Sequence, residues 1–324
     1  MATIHKPRLA NGTPRGRSPL GGIALALLMF GLASLEAEAG ERFVALSPLE
    51  RLRVTEAGSG PPVVLIPGLF GCAFGYRGLL SELALAGYHG VVVEPLGVGG
   101  SSRPEGLDYS LTAQADRVGA VLKALELPPA VVVAHAVGAS IAFRLAWRHP
   151  ERVAAIVSID GGPAEAATTP GFRRAMRWAP LLKIFGGVGR IRGRVRTTLV
   201  ERSADPRWVS EAVLDGYMEP LARDLDATLG AFQAMARSHE PEPLRDRLPD
   251  VRCPVLLLVG AFPHEGGASA EEIDLLRTRL PRFALESVPG TGHFVFEEAP
   301  RAVVAAVQRT FTGDSRAVAA AMER

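Results

Sequence analysis

Val131-Val132-Val133-Ala134-His135-Ala136-Val137-Gly138-Ala139 is the stretch on which the reading of the fold turns. Val131 to Ala134 is a continuous apolar run. That is the pattern of a strand buried on both faces, as in a parallel sheet, rather than of a strand with one wet face. Ile141 to Trp147 then repeats with helical period. Between strand and helix lie the small residues Ala134, Ala136, Gly138 and Ala139. A sharp strand-to-helix turn needs such residues, and its apex, here Ala136, projects above the end of the sheet.

The same alternation extends outward in both directions. Further continuous apolar runs occur at Val63 to Ile66, Val91 to Glu94, Ala154 to Ile159, Val255 to Val259 and Ala284 to Val288. Leu111 to Leu125 has helical period. Strand, helix, strand repeated along a chain implies an α/β fold whose central sheet is mostly parallel, with right-handed crossovers and flanking helices. Residues 43–55 add an antiparallel hairpin at the start. Pro300 to Phe311 is the closing helix, with Pro near its first turn. From Asp160 to Cys253 no strand pattern occurs, only helical pattern and basic residues. The expected organisation is a core of residues 40–160 and 253–312, a helical cap of 161–252 inserted after the sixth strand, and a C-terminal tail, 313–324.

Composition bounds the partners. Lys and Arg total 36 against 34 Asp and Glu, a balance of +2 that gives no reason to expect nucleic acid. The N-terminus has the form of a targeting segment. Lys6, Arg8, Arg15 and Arg17 precede an uncharged, mostly apolar run from Leu20 to Leu35, and Ala37-Glu38-Ala39 has the spacing of a signal-peptidase site. Residues 1–39 are read as a cleaved signal or an uncleaved membrane anchor, so the protein is expected to be exported or tethered. Cys72 follows the C-terminal end of one predicted strand and Cys253 precedes the N-terminal end of another. These are opposite edges of a parallel sheet, too far apart for a disulfide, so two buried free thiols are expected. No Cys/His cluster has metal-ligand spacing, and neither a metal nor a cofactor is expected.

Four landmarks carry a resemblance. Val63-Val64-Leu65-Ile66-Pro67-Gly68-Leu69-Phe70-Gly71 resembles the strand and loop that supply half of an oxyanion hole. Glu94-Pro95-Leu96-Gly97-Val98-Gly99-Gly100-Ser101-Ser102-Arg103-Pro104 resembles a D-x-x-G-x-G-x-S turn. The stretch around Ala136 is similar to a nucleophile elbow. Pro289-Gly290-Thr291-Gly292-His293-Phe294 resembles the loop that bears a catalytic histidine. In this order and spacing they resemble the α/β-hydrolase superfamily, in its capped esterase, haloalkane-dehalogenase and epoxide-hydrolase branch. The resemblance implies that His293 is the general base and that the backbone N–H groups of Leu69 and Val137 form the oxyanion hole.

The sequence departs from that pattern at two places. Ala136 stands where the nucleophile belongs, and a methyl group cannot attack a carbonyl. Pro263 stands where an acid often follows the seventh strand. Asp160, at the end of the preceding strand, is the first candidate to orient His293, and Glu265 the second. Gly68, Phe70, His135, His264 and Phe294 are expected to line the substrate pocket. Ser140 and Cys72 are the other nucleophilic groups near the elbow, Ser140 expected to project sideways and Cys72 to be a packing residue.

Gly171 to Arg196 carries eight basic residues and no acidic one, with Phe172, Met176, Ala179, Leu182 and Phe185 at helical spacing. It reads as a lid over an apolar pocket, and the same pattern suits an anionic membrane surface. The expected partner is a small, largely apolar ester, lactone or lipid-like ligand. Two functional readings follow: a degenerate hydrolase that binds without turnover, or a non-standard hydrolase or lyase using His293 and Asp160. Oligomeric state is not legible.

Overall fold

The structure is a computed structural model that describes residues 40–176 and 187–311. The expected targeting segment, the tail and the middle of the basic segment lie outside the described residues. A hairpin opens the chain: β1 (Gly40–Ala45) pairs antiparallel with β2 (Arg51–Ala57), somewhat longer than the 43–55 read from sequence. Then follow β3 (Pro62–Ile66), α1 (Arg77–Leu85), β4 (His89–Val93), α2 (Leu111–Ala124), β5 (Ala130–His135), α3 (Val137–Arg148) and β6 (Val153–Ile159). The insertion holds α4 (Pro170–Met176), α5 (Gly187–Glu201), α6 (Glu211–Arg223) and α7 (Leu225–Arg237), and no strand occurs there among the described residues. The chain closes with β7 (Val255–Gly260), α8 (Ala270–Arg279), β8 (Phe283–Val288), α9 (Val295–Glu298) and α10 (Pro300–Phe311).

The strands form one sheet in the order β1-β2-β4-β3-β5-β6-β7-β8. β2 meets β4 antiparallel, and from β4 to β8 every neighbouring pair is parallel. Successive side chains of a strand point to opposite faces, and helices cover both. Val64, Ile66, Val132 and Ala134 pack into one core with Phe143 of α3. Val63, Leu65, Val131 and Val133 pack into the other with Val303 and Val307 of α10. Two covered faces are the physical reason for the unbroken apolar runs.

The turn between β5 and α3 is tightly constrained. Ala136 has φ 50° and ψ −123°, a conformation that glycine adopts readily and alanine avoids. Its N–H donates to Ile159 O at 3.0 Å, so the end of β6 holds the turn from one side. Gly138 holds it from the other: a Cβ there would lie 2.7 Å from Ile66 O and 2.9 Å from Pro67 O. No side chain fits, because both obstacles are backbone.

Arg144 couples this helix to the inserted segment. Its side chain is fully buried and reaches Glu240 at 3.2 Å and Glu165 at 3.2 Å. It also donates to Thr112 Oγ1, Ser140 O and Ala164 O. A buried guanidinium is tolerated only when its donors are satisfied. Here the partners come from α2, from the exit of β6 and from the far end of the insertion.

The cysteines are unpaired. Cys72 is buried as expected, but Cys253 is only partly so, because it sits on the approach to β7 rather than inside it. The basic excess of the insertion is absorbed in part by its neighbour helix: Arg192 pairs with Glu211 and Asp215, both at 2.6 Å, and Arg196 pairs with Glu211.

The turn geometry generates a pair of opposed outcomes. Gly138→Ala is expected to destabilise the protein by about 2 kcal/mol through forced overlap with the β3 backbone. Ala136→Gly is expected to stabilise it by about 1 kcal/mol by releasing backbone strain. Urea unfolding of the two variants beside the parent checks both signs.

Candidate active site

The site forms where four loops leave the C-terminal ends of adjacent strands. The turn after β5 brings His135 and Ala136, the turn after β6 brings Asp160, and the long loops after β7 and β8 bring His264 and His293. Asp160 has φ 49°, a second strained non-glycine turn, and its N–H donates to Leu258 O at 2.9 Å. This turn points the carboxylate across the end of β7 toward the histidines.

Asp160 Oδ2 lies 3.6 Å from His293 Nδ1 and 3.0 Å from His264 Nε2. All three side chains are inside, Asp160 2% exposed and both histidines 6%. The contacts are close but not aligned as hydrogen bonds: Asp160 Oδ2 and His293 Nδ1 are buried with no hydrogen-bond partner. His264 is better defined. Its Nδ1 is 2.7 Å from Phe262 O. A carbonyl only accepts, so Nδ1 carries the proton, and Nε2 faces the cluster. One ligand atom from each of Asp160, His264 and His293 lies within 4.8 Å of the other two. The sequence reading expected no metal centre, because these residues are more than a hundred positions apart in part and carry no local spacing signal; only the fold assembles them.

His135 packs against His293 with ring centroids 4.5 Å apart, and its Nε2–H donates to His293 O at 3.1 Å. Burial holds His135 well below the usual imidazole range, helped by the charge of His293, so it is neutral. Phe294 was expected in the pocket. It is instead an interior residue, its ring against His135, His293 and Trp208. The chain turns at His293, so the next side chain points into the core. Glu265 also departs from expectation. Its side chain is 93% exposed and reaches Arg202 at 3.9 Å, leaving Asp160 as the carboxylate beside His293.

The other nucleophile candidates are occupied with structure. Ser140 Oγ donates to Gly162 O at 2.8 Å and accepts from Ala164 N at 2.7 Å, fully buried. Cys72 is pushed up to about 12 by burial first and by Glu94 second, so it stays a thiol. Gly68 lies against the elbow: a Cβ there would meet His135 O at 3.2 Å and Ala136 Cβ at 3.4 Å. Leu69 and Val137 are partly buried beside the same core. Phe70 is half exposed and packs edge-on against Phe172 of α4 and Phe232 of α7. A small cavity opens beneath it, lined by Leu69, Phe70, Gly97, Arg103, Tyr217 and Phe232.

Two residues escaped the sequence reading. Arg202, at the end of α5, accepts from His293 N at 2.8 Å through its carbonyl, and a Cβ at Gly292 would lie 2.2 Å from that oxygen. Glu298 accepts from Gly292 N at 2.7 Å and from Asp205 N at 2.9 Å. The inserted helices therefore grip the histidine loop directly. The glycine at 292 was visible in the motif, but its partner comes from a part of the chain with no pattern of its own.

The comparisons with known proteins agree with this architecture. The profile of a family described as alpha/beta hydrolase fold matches residues 61–181. The chain is 31% identical over 119 residues to bifunctional epoxide hydrolase 2 of Rattus norvegicus, covering 36% of this chain and 22% of that protein. It is 37% identical over 126 residues to epoxide hydrolase A of Mycobacterium tuberculosis, covering 37% of this chain and 38% of that one. The match thus spans well under half the length of either relative. The solved structure of epoxide hydrolase CorEH without ligand superposes with a TM-score of 0.71 at 20% identity, over 85% of this chain and 99% of that one. The chain has the α/β-hydrolase fold, and its residues 61–181 match that family's profile.

The electrostatics of the cluster set a pH signature. Burial pushes the Asp160 carboxyl up to about 6, against the opposing pull of His264 and His135. Burial, then His264 and Arg202, push His293 down to about 3. A raised carboxyl contributes stability below its unfolded value, about 4, and that contribution is lost as pH rises through about 6. The depressed histidine does the reverse: its contribution is present above about 6.5 and is lost as pH falls toward about 3. Asp160→Asn removes only the first effect. In chelator-treated protein, its stability relative to the parent is expected to improve between pH 5 and pH 7.5, read as urea midpoints. A relative loss over that interval would mean that the carboxyl is not raised.

Proposed function

We propose that the protein is a hydrolase-fold enzyme in which His293 acts as general base, oriented by Asp160, with no covalent intermediate at the elbow. The observation that carries this reading is the placement of Asp160 Oδ2 3.6 Å from His293 Nδ1, both buried, beside an elbow that keeps its strained geometry at Ala136. Such contacts are commonly long without ligand and tighten when the site fills. When substrate fills the site and Asp160 closes on Nδ1, the carboxylate raises His293 from the low value that burial imposes. His293 then takes a proton from water, and the hydroxide adds to the carbonyl carbon of a small ester or lactone. The developing oxyanion is met by the N–H groups of Leu69 and Val137. Collapse breaks the bond to the leaving alkoxide, which takes the proton back from the imidazolium. Asp160 holds the ring and balances its charge.

The aromatic group of Phe70, Phe172 and Phe232 supports an apolar substrate under a helical lid. The epoxide hydrolase relatives add small apolar epoxides to the substrate class, opened by the same hydroxide at a ring carbon with the alkoxide protonated to a diol. The targeting form of residues 1–39 supports a location outside the cytoplasm, free or tethered, and the basic character of the insertion supports contact with an anionic membrane surface.

One observation favours a second reading, a degenerate hydrolase that binds its ligand without turnover. Asp160 Oδ2 is nearer to His264 Nε2, at 3.0 Å, than to His293. A carboxylate held there does not orient a base, and Ala136 offers no nucleophile.

Turnover of short acyl esters, lactones and a simple aryl epoxide separates the two. The base reading expects measurable hydrolysis that falls at least about a hundredfold in His293→Ala. Equal rates in parent and variant would sink it. Ligand binding with no turnover in either would leave the second reading, and Ala136→Ser would then show whether the hydroxyl alone is missing.

A further inference from the structure

Three side-chain atoms able to bind a metal ion, one each from Asp160, His264 and His293, converge within 4.8 Å of one another. The Nδ1–H of His264 donates to Phe262 O at 2.7 Å, so Nε2 is the ring atom that faces Asp160 Oδ2, at 3.0 Å. A carboxylate oxygen and an imidazole nitrogen at that distance need a positive centre between them, either a proton on Nε2 or a bound cation. His293 Nδ1 joins them at 3.6 Å from the same oxygen. Asp160 Oδ2 and His293 Nδ1 are buried and have no hydrogen-bond partner. Orphaned buried polar atoms are costly, and a group of them in a native site calls for an unrepresented partner.

We propose that Asp160, His264 and His293 form a mononuclear site for a divalent transition-metal ion, with Zn2+ the best fit. Two imidazoles and one carboxylate suit Zn2+ and its neighbours, and do not suit Mg2+ or Ca2+, which take oxygen ligands. Bonds of about 2.0–2.1 Å place neighbouring ligand atoms about 3–3.5 Å apart, close to the separations seen. A second feature of ligating histidines is present: the remote ring nitrogen of His264 donates to a backbone carbonyl, which fixes the tautomer. The loop also leaves room. A Cβ at Gly267 would lie 3.2 Å from both Asp160 Oδ1 and His264 Nε2, and one at Gly266 would lie 3.6 Å from His293 Cε1. Side chains at these two glycines would crowd the approach to the cluster. Three protein ligands leave a position for water or a ligand group.

The site goes beyond the base reading, and the two are alternative states of the same residues. A neutral imidazole bound through Nδ1 keeps its proton on Nε2 and cannot accept another. An occupied site therefore silences His293 as a base, and metal binding is measured without reference to turnover.

The test uses the full, tag-free chain stripped of metal with a chelator and dialysed. Zn2+ is titrated by calorimetry and Co2+ by visible absorption, in the parent and in His264→Ala, Asp160→Asn and His293→Ala, each checked for native circular dichroism. His264 stands on a surface loop, so its variant keeps the test alive if the other two fail to fold. Expected is one equivalent of ion per chain, d–d bands with Co2+, and affinity lower by at least about a hundredfold in each folded variant. No saturable binding below about 1 mM in the parent would overturn the proposal. So would one-site binding unchanged in His264→Ala. Ester turnover by the stripped protein decides the base reading separately, whichever way the titrations fall.

Discussion

The backbone strain at Ala136 is the constraint around which the rest of the structure is arranged. A strand must turn into a helix within one residue, at φ 50° and ψ −123°, while packed between the ends of β3 and β6. Everything near it is correspondingly small: Gly138 under the β3 carbonyls, Gly161 with its hypothetical Cβ 2.4 Å from Ala136 O, and Gly68 against His135. Strain of this kind costs on the order of 1–3 kcal/mol and persists only where surrounding structure over-determines it. In this chain the geometry that normally serves to display a nucleophile is retained although the nucleophile is a methyl group. The turn is therefore held by packing that involves both neighbouring strands, and loss of the hydroxyl does not remove that packing.

A second constraint follows from burying charge. Glu94, fully buried, accepts from Ala73 N at 2.6 Å and Gly100 N at 2.6 Å, tying the oxyanion loop to the turn after β4. Arg144 ties the elbow helix to both ends of the insertion, and Glu298 ties the insertion to the histidine loop. These groups are satisfied from several elements at once, and breaking such a set typically costs about 3–5 kcal/mol. Asp160, His264 and His293 differ in kind. Asp160 Oδ2 and His293 Nδ1 are as deeply placed, but they have no hydrogen-bond partner.

The insertion explains why the site and the lid act as one unit. Arg202 O receives His293 N, Tyr217 donates to Glu297 at 2.9 Å, and Phe172 and Phe232 close on Phe70 of the oxyanion loop. Displacing the helices would loosen His293, the loop after β3 and the aromatic cover together.

The six parallel strands, the elbow and the histidine loop were legible in the sequence, because burial on both faces leaves unbroken apolar runs and tight turns demand glycine and alanine at fixed spacing. The missing nucleophile at Ala136 was equally legible, being a matter of residue identity. What tertiary structure decided was which polar groups meet. Asp160 rather than Glu265 faces His293, Phe294 turns inward, Arg202 grips the histidine loop, and His264 reaches Asp160 across the end of β7. Long-range meetings of this kind leave no periodic trace in the chain. They depend on how loops of unequal length fold back over the ends of neighbouring strands, and only the assembled sheet brings those ends together.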